Sequence, residues 1–409
     1  MSTTEPPLFG LATTAMTSES RRTNLSLILS LVHHRGALSR SDLTRATGLN
    51  RSTVATLSGQ LVDLGLVYET APTTTAMIGR PSPEVNPSGA MVALAINPEV
   101  DAITIGLVAL GGRVLKKVRY ETAHIPSVQE VVNVSAAVID GIRSELHSRY
   151  RVVGMGVAVP GLTRAADGIV TYAPHLGWKD EPIARLLQEA TGFPVWAAND
   201  ASLGAVAELL FGAGVGSMDL IYLNGGASGV GGGIVSNGSL RTGAAGFAGE
   251  IGHTLVNSDG VVCHCGSIGC LETEVSLGRL QDLVGLRGAD IDTVEVALAA
   301  GWNDVIATEV NAQLDFLAIA LCNVVNIFNP ERIILGGFLA SLFQLNPERL
   351  TAQVASRALH GPREVATITR AVLGSSLLMI GAAELALAPL LADPAGVSAL
   401  TAGGVSPRD

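Results

Sequence analysis

Cysteine is scarce in this chain of 409 residues, at four, and aromatic side chains make up only 4% of it. So few thiols in so long a chain exclude a disulfide-stapled scaffold of the small secreted kind. A core poor in aromatics must be filled by Ala, Val, Leu and Ile, which suits helices packed on buried strands; 48% hydrophobic residues and 47 glycines agree. Met1–Glu19 lacks a basic start followed by an apolar run, so no secretory leader is expected there. The most apolar late stretch, Leu377–Ala392, is too short to span a bilayer and is interrupted by Glu384 and Pro389, so it reads as a buried helix. These absences predict a cytoplasmic protein without a membrane partner, and the length predicts two or three domains.

A net charge of −10 argues by itself against nucleic acid, but its distribution argues the other way. Residues 20–80 hold Arg21, Arg22, Arg35, Arg40, Arg45, Arg51 and Arg80 against Asp42, Asp63 and Glu69, a balance of +4. Glu5 and Glu19 place −2 ahead of them, which leaves −12 on residues 81–409. A basic head on an acidic body is expected when one end meets phosphate and the other does not.

Within the head, apolar residues recur at helical spacing in three runs: Leu25, Ile28, Leu29 and Val32; Leu43 and Ala46; then Val54, Leu57, Leu61 and Leu64. Ser39 is placed to cap the second helix with Asp42 as its capping-box partner, Gly48 to close it, and Asn50 to cap the third. This is the spacing of a helix-turn-helix whose third helix carries Arg51, Ser52, Thr53 and Thr56 near its start, where a recognition helix meets the major groove. The polar stretch Ala71–Pro83 reads as a wing whose Gly79-Arg80-Pro81 tip is thin and cationic enough to enter a minor groove. An ordinary three-helix packing module with a flexible linker is the plainer alternative.

Three of the four cysteines fall within residues 250–272, beside a histidine. His253, Cys263, Cys265 and Cys270 offer one imidazole and three thiolates, a set that saturates a tetrahedral Zn²⁺ and leaves no position for a bound water. The expectation is structural zinc that braces a loop and holds the flanking Glu250 and Glu272. A disulfide or unrelated buried thiols is the competing reading; two glycines inside Cys-x-Cys-x₄-Cys make poor disulfide geometry, and Cys322 would be left over.

From Met91 the pattern shifts to short apolar runs between glycine turns. Met91–Ile96, Ala102–Ala109 and Arg113–Tyr120 read as a meander, followed by a helix over about 128–148 and a buried strand at Val152–Val157. That order matches the first half of an actin-like, sugar-kinase-type domain. A second half is expected after Asp200, with strands at Leu220–Leu223, Ile234–Val235 and Arg332–Leu335 and a glycine-rich loop at 224–233. Asp200 is also placed to cap a helix over Ala201–Leu210, on which Glu208 reads as a solvated or packing residue.

Val159-Pro160-Gly161, the segments 173–178 and 248–253, Asn199-Asp200-Ala201, the cysteine loop and Ile334-Leu335-Gly336-Gly337 together resemble the ROK family of repressors and sugar kinases, over residues 20–392. The resemblance implies an α/β protein: a winged helix-turn-helix at 20–80, then a two-lobed ROK domain. Its small lobe would span 88–200, completed by a C-terminal helix at 375–392, and its larger, zinc-containing lobe 201–374 would carry the oligomer interface. It further implies that Asn199, Asp200, Glu250, His253 and Glu272 contact sugar hydroxyls, while His175 departs from the asparagine common in relatives.

Family kinases use the aspartate matching Asp200 as general base and hold nucleotide phosphates on two glycine-rich loops. The first of these aligns with Asn97-Pro98-Glu99-Val100-Asp101. Pro98 lacks an N–H, Glu99 and Asp101 put negative charge where phosphate would sit, and Asn97 replaces a carboxylate that would organise Mg²⁺. The second loop, 225–233, keeps six glycines but lacks the family threonine. The expectation is a non-enzymatic, sugar-responsive transcription regulator, a repressor, with Asp200 a vestigial base. Its partners would be operator DNA, a small sugar effector and its own copies in a homodimer or homotetramer, since a two-fold operator needs two recognition helices. An active ATP-dependent sugar kinase with a DNA-binding head is the main alternative, and a regulator with a vestigial sugar site the other.

Overall fold

The computed structural model describes residues 18–71 and 82–396. They form two compact units, one of residues 18–71, 82–87 and 389–396, the other Ser88–Ala388.

In the first unit α1 (Ser18–Arg35), β1 (Leu38–Ser39), α2 (Arg40–Thr47), α3 (Arg51–Asp63), β2 (Val67–Thr70) and β3 (Glu84–Pro87) follow in order, with a sheet ordered β1-β3-β2. The helices start and stop for local reasons. Ser39 Oγ accepts from the Asp42 amide at 3.1 Å, Gly48 takes a left-handed φ of 70° to close α2, and Asn50 Oδ1 accepts from the Thr53 amide at 2.8 Å. Leu25, Ile28, Leu29, Val32, Leu43, Val54, Leu57 and Leu61 are buried. Arg40 binds both carboxylate oxygens of Glu69, at 2.7 and 2.8 Å, so one arginine of the basic head is spent on joining α2 to β2. Strands β2 and β3 pair antiparallel as the base of the wing, while its Gly79-Arg80-Pro81 tip lies outside the described residues.

The second unit has two five-stranded sheets. β4 (Met91–Pro98), β5 (Ala102–Ala109) and β6 (Arg113–Glu121) form the meander; α4 (Val128–Gly141), α5 (Arg143–Arg149) and β7 (Arg151–Val159) follow. The single helix expected over 128–148 is two, because Ile142 leaves helical geometry at φ −107°, ψ 5°, next to the weak helix former Gly141. A small sheet of β8 (Leu162–Arg164), β9 (Ile169–Ala173) and β10 (Trp178–Glu181) leads to α6 (Ile183–Thr191), β11 (Val195–Asn199) and α7 (Asp200–Phe211). The first large sheet runs β11-β7-β4-β5-β6.

β12 (Leu220–Gly226), β13 (Gly229–Ser236) and β14 (Ser239–Leu240) open the second sheet. After them come the short α8 (Leu271–Glu274), α9 (Leu277–Val284), α10 (Ile291–Ala300), α11 (Asp304–Phe328), β15 (Arg332–Gly337), α12 (Phe338–Leu345), α13 (Pro347–Arg357), α14 (His360–Val365), β16 (Thr367–Arg370) and α15 (Leu377–Ala392). The sheet runs β14-β13-β12-β15-β16. Helix α11, and α15 taken together with the helical turn before it as Gly374–Ala392, are long and apolar enough to cross a membrane, yet half of the apolar stretch of α11 and more of that of Gly374–Ala392 is buried inside the protein, as in core helices. α15 runs through the division at Pro389: its earlier residues group with the sheets, its end with the head.

The glycine-rich stretch 224–233 is not a loop but two paired strands joined at Ala227 and Ser228. Its glycines admit α7: a Cβ at Gly231 would stand 2.8 Å from Ala201 Cβ, and one at Gly233 would overlap Ala205 Cβ. On the other side α15 meets the first sheet at Gly106, under Met379, and at Gly156, under the Ala382 carbonyl, and meets α7 at Gly381. Glu208, at the far end of α7, is wholly buried rather than solvated. Its carboxylate accepts from the backbone amides of Ala213, Val372 and Leu373 at 2.7, 3.0 and 3.1 Å, joining α7 to the segment ahead of α15. Glu208→Ala leaves those amides without their acceptor and should cost about 3 kcal/mol, read as a lowered urea midpoint, whereas a solvated residue at this position would leave it unchanged.

Candidate ligand-binding site

The residues expected to meet DNA stand on an open face of α3: Arg51, Ser52 and Thr56 are exposed and Thr53 partly so, while Val54 and Leu57 are buried. Arg80 cannot be placed with them, since it lies outside the described residues.

In the second unit, β11 delivers the chain to α7 at the mouth of a cavity of about 230 Å³. Asn199, Asp200, Glu250, His253 and Glu272 all line it. The space is smaller than the ~300–1,000 Å³ that serve drug-sized ligands, and suits a small polar ring. Asn199, not Asp200, caps α7: its Oδ1 accepts from the Ser202 amide at 2.9 Å and its Nδ2 donates to the Gly161 carbonyl at 3.1 Å. Asp200 begins the helix one residue on, its carboxylate taking the Ala201 amide at 2.7 Å. It lies deep and near Glu250, so burial first, then that like charge, pushes its carboxyl up to about 7. Burial likewise raises Glu250.

The opposite wall is the segment 250–272. Glu272 Oε1 lies 3.0 Å from His264 Nδ1, 3.5 Å from His253 Nδ1 and 3.1 Å from Cys263 Sγ, which makes this carboxylate the centre of the wall. Gly229 makes room for it, since a Cβ there would strike Glu272 Oε2. His253, Cys263, Cys265 and Cys270 bring their donor atoms within 4.8 Å of one another, with Cys265 Sγ and Cys270 Sγ 3.7 Å apart and Cys263 Sγ 3.6 Å from His253 Nδ1. A second donor set, His253, Cys263, His264 and Glu272, shares two of these residues.

Four further residues belong to the site. His264 and Asn224 line the cavity; His264 was hidden between two cysteines and Asn224 inside the glycine run. His175 also lines it, and burial lowers its imidazole pKa. Glu274 accepts from the Val261 amide at 2.9 Å and from Asn257 Nδ2 at 3.1 Å, pinning the cysteine loop; its only sequence signal is its place two residues after Glu272.

The segment 97–101, expected to replace the first phosphate loop, is filled by its own side chains. Asn97 is buried and donates to Glu99 at 2.8 Å, and Arg119 lies 3.4 Å from Glu99 and 3.0 Å from Asp101.

Because Asp200 keeps its proton in the fold up to about pH 7, against 3.8 ordinarily, the unfolded chain ionises first. The cost of folding therefore grows between pH 4 and 7 and is constant above. Asp200→Asn, which cannot ionise, should gain thermal stability on the wild type across that window and then hold its lead; parallel melting curves at all pH values would show an ordinary carboxylate.

The ROK family profile matches residues 93–388. A xylose repressor of Caldicellulosiruptor bescii is 28% identical over 394 residues, covering 91% of this chain and 98% of that protein. A glucokinase of Halalkalibacterium halodurans is 31% identical over 266 residues, 61% of this chain and 80% of its own. Among solved structures, a ROK family transcriptional regulator described as a homologue of the E. coli MLC protein superposes with a TM-score of 0.73 at 26% identity, covering 93% of this chain and 98% of that one. The profile match, the two sheets and the cavity at the start of α7 together establish that this chain belongs to the ROK family.

Proposed function

We propose that the protein is a sugar-responsive transcriptional repressor whose kinase-derived domain binds its effector without turning it over. The observation that carries this reading is that Asn199, Asp200, Glu250, His253 and Glu272, far apart in sequence, line one cavity, while the segment 97–101 is closed by its own acids and Arg119. Carboxylates, an amide and imidazoles can accept from and donate to neighbouring ring hydroxyls, and such a site discriminates strongly against ligands that lack one. Asn199 has part of its amide committed to capping, so Asp200, Glu250 and Glu272 carry more of the recognition. The repressor relative covers nearly the whole chain including the head, whereas the glucokinase relative matches only 61% of it. An active sugar kinase is the competing reading, favoured by Asp200 poised near neutrality; the acids at 99 and 101 oppose it by repelling phosphate.

On this reading Arg51, Ser52, Thr53 and Thr56 face operator DNA with Arg80 at the wing, the protein acts in the cytoplasm, and a homodimer or homotetramer supplies paired heads. The four soft donors fit a structural Zn²⁺, held by His253, Cys263, Cys265 and Cys270; the metal would neutralise the thiolates and brace the loop. Glu272 would thereby be held against the cavity. Freshly purified protein should contain one zinc per chain, and Cys265→Ser should lose metal and sugar response together; zinc-free wild type that still responds to sugar would reject the brace.

A sugar touching Asn199 and Asp200 on one side and Glu250, His253 and Glu272 on the other favours a closed cleft, and shifts DNA affinity only through its different affinity for the closed and open forms. Operator affinity should fall as sugar rises. Glu250→Ala should stay on DNA at sugar concentrations that release the wild type, and Arg51→Ala should bind the operator ~1–3 kcal/mol more weakly at every sugar concentration. Superimposable wild-type and Glu250→Ala titrations with a clear sugar response would place the effector elsewhere.

A further inference from the structure

Strand β12 sends one polar side chain toward the ligand cavity. In its pairing with β13, Tyr222 lies across from Gly233 and Asn224 from Gly231. Partners directly across antiparallel strands share a face of the sheet. A Cβ at Gly233 would meet Ala205 and one at Gly231 would meet Ala201, so this is the face that carries α7. Asn224 therefore stands beside the first turn of that helix, which Asp200 begins, and both residues line the same cavity. No lysine or arginine lines it, whereas Asp200, Glu250 and Glu272 do, so a side-chain N–H fixed in place is a scarce group there.

The Asn224 amide is held in one orientation. Tyr222 is fully buried and donates its hydroxyl to Asn224 Oδ1 at 3.1 Å. Burial, then the charges of Glu208 and Asp200, keeps that phenol protonated well above its ordinary range, so it remains a donor. The end of β15 makes room for the pair: a Cβ at Gly336 would strike the Tyr222 hydroxyl, and one at Gly337 would stand 3.2 Å from Asn224 Oδ1. With Oδ1 committed, Nδ2 is the open end of the amide. It has no acceptor among the described residues, is not sealed in the interior, and lies 3.8 Å from where a Cβ of the cavity residue Gly226 would stand.

We infer, resting on the sugar-binding reading above, that Asn224 is a further specificity-determining residue: its Nδ2 donates to one hydroxyl oxygen of the effector sugar, and Tyr222 is the positioning residue that turns the amide toward it. A single fixed N–H recognises a single oxygen. A sugar that lacks that hydroxyl gains nothing from Asn224.

The test is titration calorimetry of the full-length protein with D-xylose, D-glucose, D-mannose and D-galactose, then with the monodeoxy derivatives of whichever binds tightest. Asn224→Ala should weaken that sugar about tenfold and its derivatives alike, except one, on which the substitution costs less than about twofold because the accepting oxygen is already gone. Tyr222→Phe, which releases the amide, should weaken the parent sugar about threefold and again spare that derivative. Should Asn224→Ala fail to fold, Asn224→Asp keeps an acceptor for Tyr222, removes the N–H, and should give the same pattern. Unchanged affinity in both Asn224 variants, or an equal loss on every derivative, overturns the role of Asn224 alone. A wild type that binds none of the four sugars overturns the sugar-binding reading and this inference with it.

Discussion

Close approach of α7 to its neighbours is the constraint on which the site depends. Helix and strand can come this near only where side chains are missing, and they are missing at each contact: Gly231 and Gly233 on β13, Gly204 against Tyr222 of β12, and Gly381 of α15 against the Leu203 carbonyl. Interiors are packed as densely as organic crystals, so a single added carbon at these points has nowhere to go. The helix is thereby locked between the two sheets. Its N-terminus emerges where β11 ends and its far end is held by Glu208, so Asn199 and Asp200 are placed by packing over the whole length of α7 rather than by their own contacts.

The facing wall is built differently. Residues 250–272 have little regular structure, and their position comes from anchors at several points: Gly252 beneath the Val230 carbonyl, Gly269 against the Asn257 carbonyl, and Glu274 holding Val261 and Asn257. The four soft donors sit inside this frame, and Glu272 sits beside them. The cavity wall and the cysteine loop thus share residues, His253 above all, which faces both Glu272 and Cys263. Any change that loosens the loop reaches the cavity directly.

The two walls also divide the electrostatics. Asp200 is kept near neutrality by burial and by Glu250, whereas Glu272 has two imidazoles within 3.5 Å. A cavity of this composition presents both donors and acceptors around a small volume. In the segment 97–101 Arg119 is engaged by Glu99 and Asp101.

Local signals were legible where the chemistry is local. The caps Ser39, Gly48 and Asn50, the helical spacing of the head, the meander strands and the convergent Cys and His residues could all be read from the chain, because each depends on neighbours within a few positions or on ligand chemistry that leaves few options. The resemblance to the ROK family carried the five site residues that no spacing rule would have joined. What remained hidden depended on distant partners. Glu208 could be solvated or packed until Val372 and Leu373 came to it, Asp200 yielded the helix cap to Asn199, and the glycines of 224–233 looked like a phosphate loop until Ala201 and Ala205 showed what they make room for. By itself the sequence determined the helices of the head, the strands of the meander and which side chains carry atoms able to bind metal or hydroxyls. Only the tertiary structure decided which carboxylates are buried and which face a ligand, because burial is set by chain brought from far away, and it is burial that shifts a charge and leaves a cavity beside it.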